Sequence, residues 1–185
     1  MVTVLQTDRL LLRRFETGDG EHLHAITGDP VVMRFVGDLK PFSPQQTRTM
    51  IEDAMAHYEQ RGFGEYAITC KTTRELIGYG GFTILPERAY PDIDYIFRPD
   101  QWGRGLASEL AYELVRYAFE ELGFEVLGAS FDPHNHASMH VAAKAGFQFA
   151  RTGLDEHGLP TLYYELRRPV RASGSDTARR LPPTA

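Results

Sequence analysis

Two glycines, at positions 103 and 105, lie between a strand-like run and a long amphipathic stretch, and this arrangement constrains the chain most. The run 92–97 has strand character, and 106–122 has the pattern of a helix. A strand, a glycine turn and a helix together direct main-chain N–H groups and a positive helix end toward an anion. Gly103 and Gly105 leave room for a phosphate, and Arg104 adds a cation. The glycines alone favour an ordinary tight turn, so a phosphate-binding role for this turn needs support from the rest of the chain.

Composition narrows the class of protein. The chain has 185 residues, of which 42% are hydrophobic and 24% charged, as expected for one globular domain. A net charge of −5 argues against a nucleic-acid partner, and no apolar run is long enough to cross a membrane. The start lacks the pattern of a signal peptide. Cys70 is the single cysteine, which excludes an internal disulfide, fits a cytoplasmic location and predicts a buried, inert thiol.

The order of predicted elements indicates an α+β fold. Strands are expected at about 8–15, 65–71, 75–85, 92–97, 125–131, 147–152 and 162–166, the second and third forming a hairpin. Helices are expected at about 19–27, 30 onward, 44–60, 106–122 and 135–145. Residues 1–168 are predicted to form one domain. From Pro169 the composition turns to Arg, Ser, Gly, Thr and Pro, so 169–185 is predicted to be a disordered tail.

Two helices can be described in more detail. Ser43-Pro44-Gln45-Gln46 is a capping box with proline in the first turn. The residues of that helix expected to face the core are Met50, Ile51, Ala54, Met55 and Tyr58. On the helix at 106–122, a charged stripe at 109, 113, 116 and 120 is expected to face water.

Three segments carry a family resemblance. They are Trp102-Gly103-Arg104-Gly105-Leu106-Ala107, then Asn135-His136-Ala137-Ser138 with Lys144-Ala145-Gly146-Phe147, and the opening run 5–13. Together they resemble the GNAT acetyltransferases, and in particular the RimJ/RimL-like branch that acetylates ribosomal-protein N-termini. Trp102 departs from the pattern by standing where Gln or Arg is usual. The resemblance implies a mixed, mostly antiparallel seven-stranded sheet flanked by helices and splayed between the fourth and fifth strands.

Other phosphate-binding folds fit the sequence less well. The chain has no G-x-x-x-x-G-K-[S/T] loop of an ATP-hydrolysing protein. A dinucleotide-binding fold needs a third glycine where Ser108 stands, and it needs the motif in the first strand–helix unit.

The resemblance implies a binding site for acetyl-CoA as a cosubstrate. The backbone of Tyr95, Ile96 and Phe97 would pair with the pantetheine arm. The pyrophosphate would lie on the turn formed by Trp102, Gly103, Arg104, Gly105, Leu106, Ala107 and Ser108. Asn135 would contact the cofactor, and it is also a good N-cap for the helix that follows.

Candidate catalytic residues come from two places. Helical spacing puts Ser138 on an inward face with Val141 and Ala145, where its hydroxyl either binds a carbonyl of the preceding turn or points into a cleft. The resemblance implies that Ser138 protonates the departing sulfur. Asp92 and Asp94 share one face of a strand, and either could be the general base or part of a solvated edge.

Near His134, His136 and His140 no acidic or cysteine residue stands in the right pattern for a metal, so we expect a solvated stripe, with His136 and His140 outward, and no metal. Tyr163 and Tyr164 are strand aromatics, one of which could line the acceptor cleft.

The resulting hypothesis is a cytoplasmic N-acetyltransferase, monomer or homodimer, with acetyl-CoA and a primary amine, either a protein N-terminus or a small molecule, as partners. Nucleic acid and membrane are excluded as partners. The alternative is a non-catalytic acyl-CoA sensor or scaffold of the same fold. Acceptor specificity is expected from 19–60 and from the loops 86–91 and 153–161.

Overall fold

The described residues form one sheet against which helices pack. The computed structural model describes residues 2–85 and 88–169. The strands are β1 (Thr3–Gln6), β2 (Leu10–Arg13), β3 (Glu65–Cys70), β4 (Leu76–Thr83), β5 (Asp92–Phe97), β6 (Val126–Phe131), β7 (Gln148–Leu154) and β8 (Pro160–Arg167). The helices are α1 (Gly20–Thr27), α2 (Pro30–Met33), α3 (Pro44–Arg61), α4 (Leu106–Glu120) and α5 (His136–Lys144). The predicted tail lies outside these residues, except for Pro169.

The sheet is mixed and mostly antiparallel. Its strand order is β1-β2-β3-β4-β5-β6-β8-β7, and the contact between β5 and β6 is its parallel one. That contact is confined to the pair Asp92 and Gly128, beyond which the two strands diverge. The predicted splay is therefore confirmed at this junction. Because the two strands diverge, the edge of β5 that faces β6 has no neighbouring strand at Tyr95–Phe97 among the described residues.

The sheet has eight strands, so the prediction of seven was wrong by one. The additional strand, β1, is an edge strand that pairs with β2 across a bulge. Only Leu5 of its four residues is buried. A four-residue edge strand has too little alternation to be recognised from its sequence. The hairpin of β3 and β4 and the final pair of β7 and β8 are confirmed.

The predicted helix starts are confirmed by their caps. Ser43 Oγ accepts a hydrogen bond from the N–H of Gln46, and the Gln46 side chain accepts one from the N–H of Ser43. Gly62 ends α3 in the left-handed conformation, with φ of +78°. The Asp29 side chain caps α2 by accepting from the N–H of Val31.

Three packing predictions were wrong. Met55 is exposed, because it lies at the margin of the α3 face that Thr47, Ile51, Ala54 and Tyr58 bury. Cys70 is only half-buried at the end of β3, where hydrogen bonds from Thr73 lower the pKa of its thiol. Glu109 does not face water freely, since it binds the turn between β1 and β2.

The core lies between the sheet and its helices. Leu10, Leu12, Ile68, Phe82, Leu110 and Leu114 are among its buried side chains. Phe82 contacts Phe63, Tyr117 and Phe124 through stacked or edge-on rings. Within the described ranges, no helix is long and apolar enough to cross a membrane.

Candidate active site

The turn before α4 is built to receive an anion. Gly103 and Gly105 have φ of +70° and +75°, a left-handed conformation that residues with a Cβ seldom adopt. Gly105 is the N-cap of α4 and offers no side chain to the first N–H groups of the helix. These donors are therefore available to a ligand at the positive end of the helix. Trp102 fixes the turn by donating from Nε1 to the carbonyl of Phe97 at 2.7 Å.

A cleft of about 470 Å³ begins at this turn and runs along the open edge of β5. Most residues predicted to bind the cofactor line it: Tyr95, Ile96, Phe97, Trp102, Gly103, Gly105, Leu106, Ala107, Ser108 and Asn135. Arg104 does not line it, and its guanidinium donates to Gln101 at 2.6 Å. The opposite wall is α2 and the residues that follow it, where Arg34 lies 5.4 Å from the Trp102 ring. No sequence motif predicted this wall.

Ser138 lies on the cleft wall in the first turn of α5. Its N–H donates to Asn135 Oδ1 at 3.3 Å, which confirms Asn135 as the N-cap. Within the described residues, its hydroxyl has no hydrogen bond to the preceding turn, so the alternative of a locally satisfied hydroxyl is not supported. The structure brings Ser138 to the same cleft as the edge of β5.

The Tyr95 hydroxyl is a neighbour of Ser138 that the sequence did not reveal. It is buried and has no well-formed hydrogen bond to a described residue. Burial raises the pKa of the Tyr95 phenol, while its interaction with the Ser138 side chain opposes the rise. In the sequence, Tyr95 is one aromatic residue of a strand, and this pattern does not indicate that its hydroxyl lies near Ser138.

Asp92, like Asp94, does not line the cleft. It is 1% exposed, and its Oδ1 accepts from Arg88 Nη1 at 2.7 Å. The same guanidinium donates to the carbonyl of Tyr164 at 3.3 Å. Arg88 therefore connects Asp92 of β5 with β8, and β6 lies between these two strands. Burial raises the pKa of Asp92 to about 6, although Arg88 opposes the rise. The geometry therefore places Asp92 at the junction of β5 and β6, paired with Arg88.

Asp94 forms a buried pair with Glu65, a residue that the sequence analysis missed. Glu65 and Asp94 flank Gly81 in one row across β3, β4 and β5, and their side chains interact. Burial and the charge of Asp94 raise the pKa of Glu65 well above its ordinary value, and burial also raises the pKa of Asp94. Each carboxyl group thus takes up a proton more readily in the folded protein than in water. Asp94 Oδ1 has no partner among the described residues.

The histidines do not form a metal site. Among residues 2–85 and 88–169, no three His, Cys, Asp or Glu side chains are grouped to hold an ion. His134 pairs with Asp132 at 3.0 Å, and His136 is exposed. His140 is exposed, as predicted, and it also lies at the cleft.

A second, smaller pocket of about 160 Å³ lies next to the main cleft. Phe35 lines both cavities. The turn between β7 and β8, residues 155–159, forms part of its wall, as do the end of β6 and Tyr163. Tyr164 lies elsewhere, with its hydroxyl 3.9 Å from Met139 Sδ. Of the two loops expected to shape acceptor binding, 153–161 lines this cavity, whereas the described residues of 86–91 do not, and residues 86–87 lie outside the described ranges.

Comparison with known proteins places this site in a family. Residues 9–148 match the acetyltransferase (GNAT) domain. YoaA of Bacillus subtilis, described as an uncharacterized N-acetyltransferase, is 33% identical over 175 residues, which cover 91% of this chain and 99% of YoaA. The chain therefore belongs to the GNAT acetyltransferase family and is an acetyl-CoA-dependent acetyltransferase.

Solved structures share the fold. An acetyltransferase from Agrobacterium tumefaciens superimposes with a TM-score of 0.78 at 24% identity, covering 91% of this chain and 95% of that protein. RimL, an acetyltransferase of a ribosomal protein solved in complex with coenzyme A, gives a TM-score of 0.75 at 18% identity, covering 89% and 97%. At 24% and 18% identity, this structural similarity shows a shared fold and no more.

Proposed function

We propose that the enzyme transfers the acetyl group directly from acetyl-CoA to a primary amine while both substrates are bound. The observation that carries this proposal is the cleft, which connects the uncapped start of α4 with the open edge of β5 and with Ser138. An acyl-CoA has the matching parts in the same order: phosphates, an amide-containing arm and a thioester.

The cofactor would be held by main-chain groups at two points. The N–H groups around Gly105 and Ser108 would bind the pyrophosphate, because they are uncapped at the positive end of a helix of 15 residues. The arm would then pair with the β5 edge at Tyr95–Phe97, as an added strand does. Apolar side chains from α2 and α5, such as Val32 and Val141, would cover the thioester.

Ser138 is the proposed acid for the leaving sulfur. A free thiol has a pKa of about 8.5, so near neutral pH the departing CoA sulfur takes up a proton. The Ser138 hydroxyl can supply it as the C–S bond breaks, with Tyr95 as the adjacent polar group. The amine nitrogen forms the C–N bond in the same process. The proton that the nitrogen sheds on becoming an amide balances the one that sulfur gains.

Asp94 is the proposed base for the acceptor ammonium. Burial raises the pKa of the Asp94 carboxyl group, and its Oδ1 has no partner among the described residues, so this oxygen is the proposed proton acceptor. Asp92 is a weaker candidate because it is buried in its pair with Arg88. The second pocket, which adjoins the cleft at Phe35, is the proposed place for the body of the acceptor.

A glycine substitution tests the cofactor site. Gly105→Val should abolish the thermal stabilisation by CoA, since a side chain there would occupy the phosphate's approach. Gly123→Val is the matched control, because Gly123 also has a positive φ, +73°, and open space around it. Both variants carry the same backbone strain, so normal CoA binding by Gly105→Val would contradict the proposed phosphate site.

A screen of acceptors tests the reaction. Peptides with free N-termini and small primary amines are incubated with acetyl-CoA, and thiol release is measured together with the mass of the product. We expect an acetyl mass shift on at least one amine. CoA binding with no transfer to any amine would favour the alternative of a sensor or scaffold.

A further inference from the structure

The turn between β1 and β2 reaches the phosphate-binding turn through Arg9. Arg9 Nε donates to Glu109 Oε2 at 2.6 Å, and the Arg9 N–H donates to Glu109 Oε1 at 2.9 Å. Thr7 Oγ1 also donates to Glu109 Oε1. Burial opposes ionisation of Glu109, but the hydrogen bonds from Thr7 and Arg9 outweigh it and lower the pKa of the carboxyl. A charged Glu109 in the first turn of α4 thus fixes the Arg9 guanidinium.

The same guanidinium is attached to the glycine turn itself. Arg9 Nη1 donates to the carbonyl of Arg104 at 2.8 Å. The remaining nitrogen, Nη2, lies 3.7 Å from the position that a Cβ on Gly105 would occupy. No described residue accepts a hydrogen bond from Nη2, and the Arg9 side chain is 49% exposed. Two of its three nitrogens therefore fix its position, and the third is a free cationic donor beside Gly105.

We propose that Arg9 is a further residue of the cofactor site, which holds the 103–105 turn in place and donates from Nη2 to the pyrophosphate. The inference rests on the proposed function, because it requires the phosphates to lie on this turn. A guanidinium suits the role, since it presents several donors in a fixed plane and stays charged at any working pH. Lysine has one ammonium and cannot bind Glu109, the Arg104 carbonyl and a phosphate in that planar arrangement.

The test compares ligands that differ in their phosphates. Affinities of wild type and Arg9→Ala are measured by calorimetry for CoA, for dephospho-CoA and, by displacement, for pantetheine. Arg9→Ala should weaken CoA and dephospho-CoA by about tenfold each, the scale of one charge-assisted hydrogen bond at an exposed site. Pantetheine, which lacks phosphates, should bind both proteins equally. Arg9→Lys should recover only part of the loss.

Two controls separate this role from general effects. Arg116→Ala removes one exposed arginine from α4 that pairs with Glu113 and Glu120, and it should leave CoA affinity unchanged. Glu109→Gln should reproduce part of the Arg9→Ala loss, because Arg9 then lacks its anchor. Unchanged dephospho-CoA affinity in Arg9→Ala, or equal losses in Arg9→Ala and Arg116→Ala, would overturn the proposal. Failure of the wild type to bind CoA would instead refute the proposed function.

Discussion

The junction of β5 and β6 depends on the absence of a side chain at Gly128. A Cβ there would lie 2.8 Å from Asp92 Cγ and closer still to Arg88 Nη1 and Asp92 Oδ1. Both ionic side chains are almost fully buried, at 4% and 2% exposure, so neither can move aside into water. Gly128→Ala should therefore separate the pair or force the two strands apart.

The expected cost can be worked out from this geometry. Breaking a buried ion pair costs about 3–5 kcal/mol, because each charge is left without its partner. For a protein of this size each kcal/mol corresponds to roughly 2–4 °C in Tm, so the loss should be roughly 6–20 °C. The β5–β6 junction also sets where the cleft opens, so CoA affinity should fall as well.

The measurement is thermal and urea unfolding of Gly128→Ala beside Gly18→Ala. Gly18 has no atom within 4 Å of its added Cβ, so that control should change stability by about 1 kcal/mol at most. Adding Arg88→Met should make Gly128→Ala much less costly, because the two changes disrupt the same pair. A Gly128→Ala protein as stable as the Gly18→Ala control would refute this account of the junction.

Two further predictions concern the chemistry. Ser138→Ala should keep the wild-type Tm and near-normal CoA affinity but lower turnover at least about tenfold, and the loss should shrink with a donor whose thiol is more acidic; full turnover would show that Ser138 is not the acid. The raised pKa of Glu65 and of Asp94 means that the folded protein binds protons more tightly than the unfolded chain, so the pair's contribution to stability is lost as pH rises above about 4.3. Asp94→Asn should therefore lose less stability than wild type between about pH 5 and 8, as measured by urea unfolding, while its turnover falls. An unchanged pH slope would contradict the pairing, and wild-type turnover would contradict the role of Asp94 as base.

Local sequence determined most of the elements and the cofactor turn. The capping box at Ser43, the N-cap Asn135 and the two glycines at 103 and 105 act through neighbours a few residues away. Such signals can be read without knowledge of the fold, because the interacting groups are close in the chain. The position of Ser138 on an inward face follows from helical spacing in the same way.

Only the tertiary structure showed that the two carboxylates have different surroundings. Strand alternation puts Asp92 and Asp94 on the same face of β5, so the sequence does not distinguish them. In the structure, Asp92 pairs with Arg88 in the space that a side chain on Gly128 would occupy. Strand register places Asp94 in one row with Glu65, on the two sides of Gly81. Arg9 likewise meets Glu109 from 100 positions away. These contacts depend on strand register and on where side chains are missing, and both are fixed only when distant segments pack together.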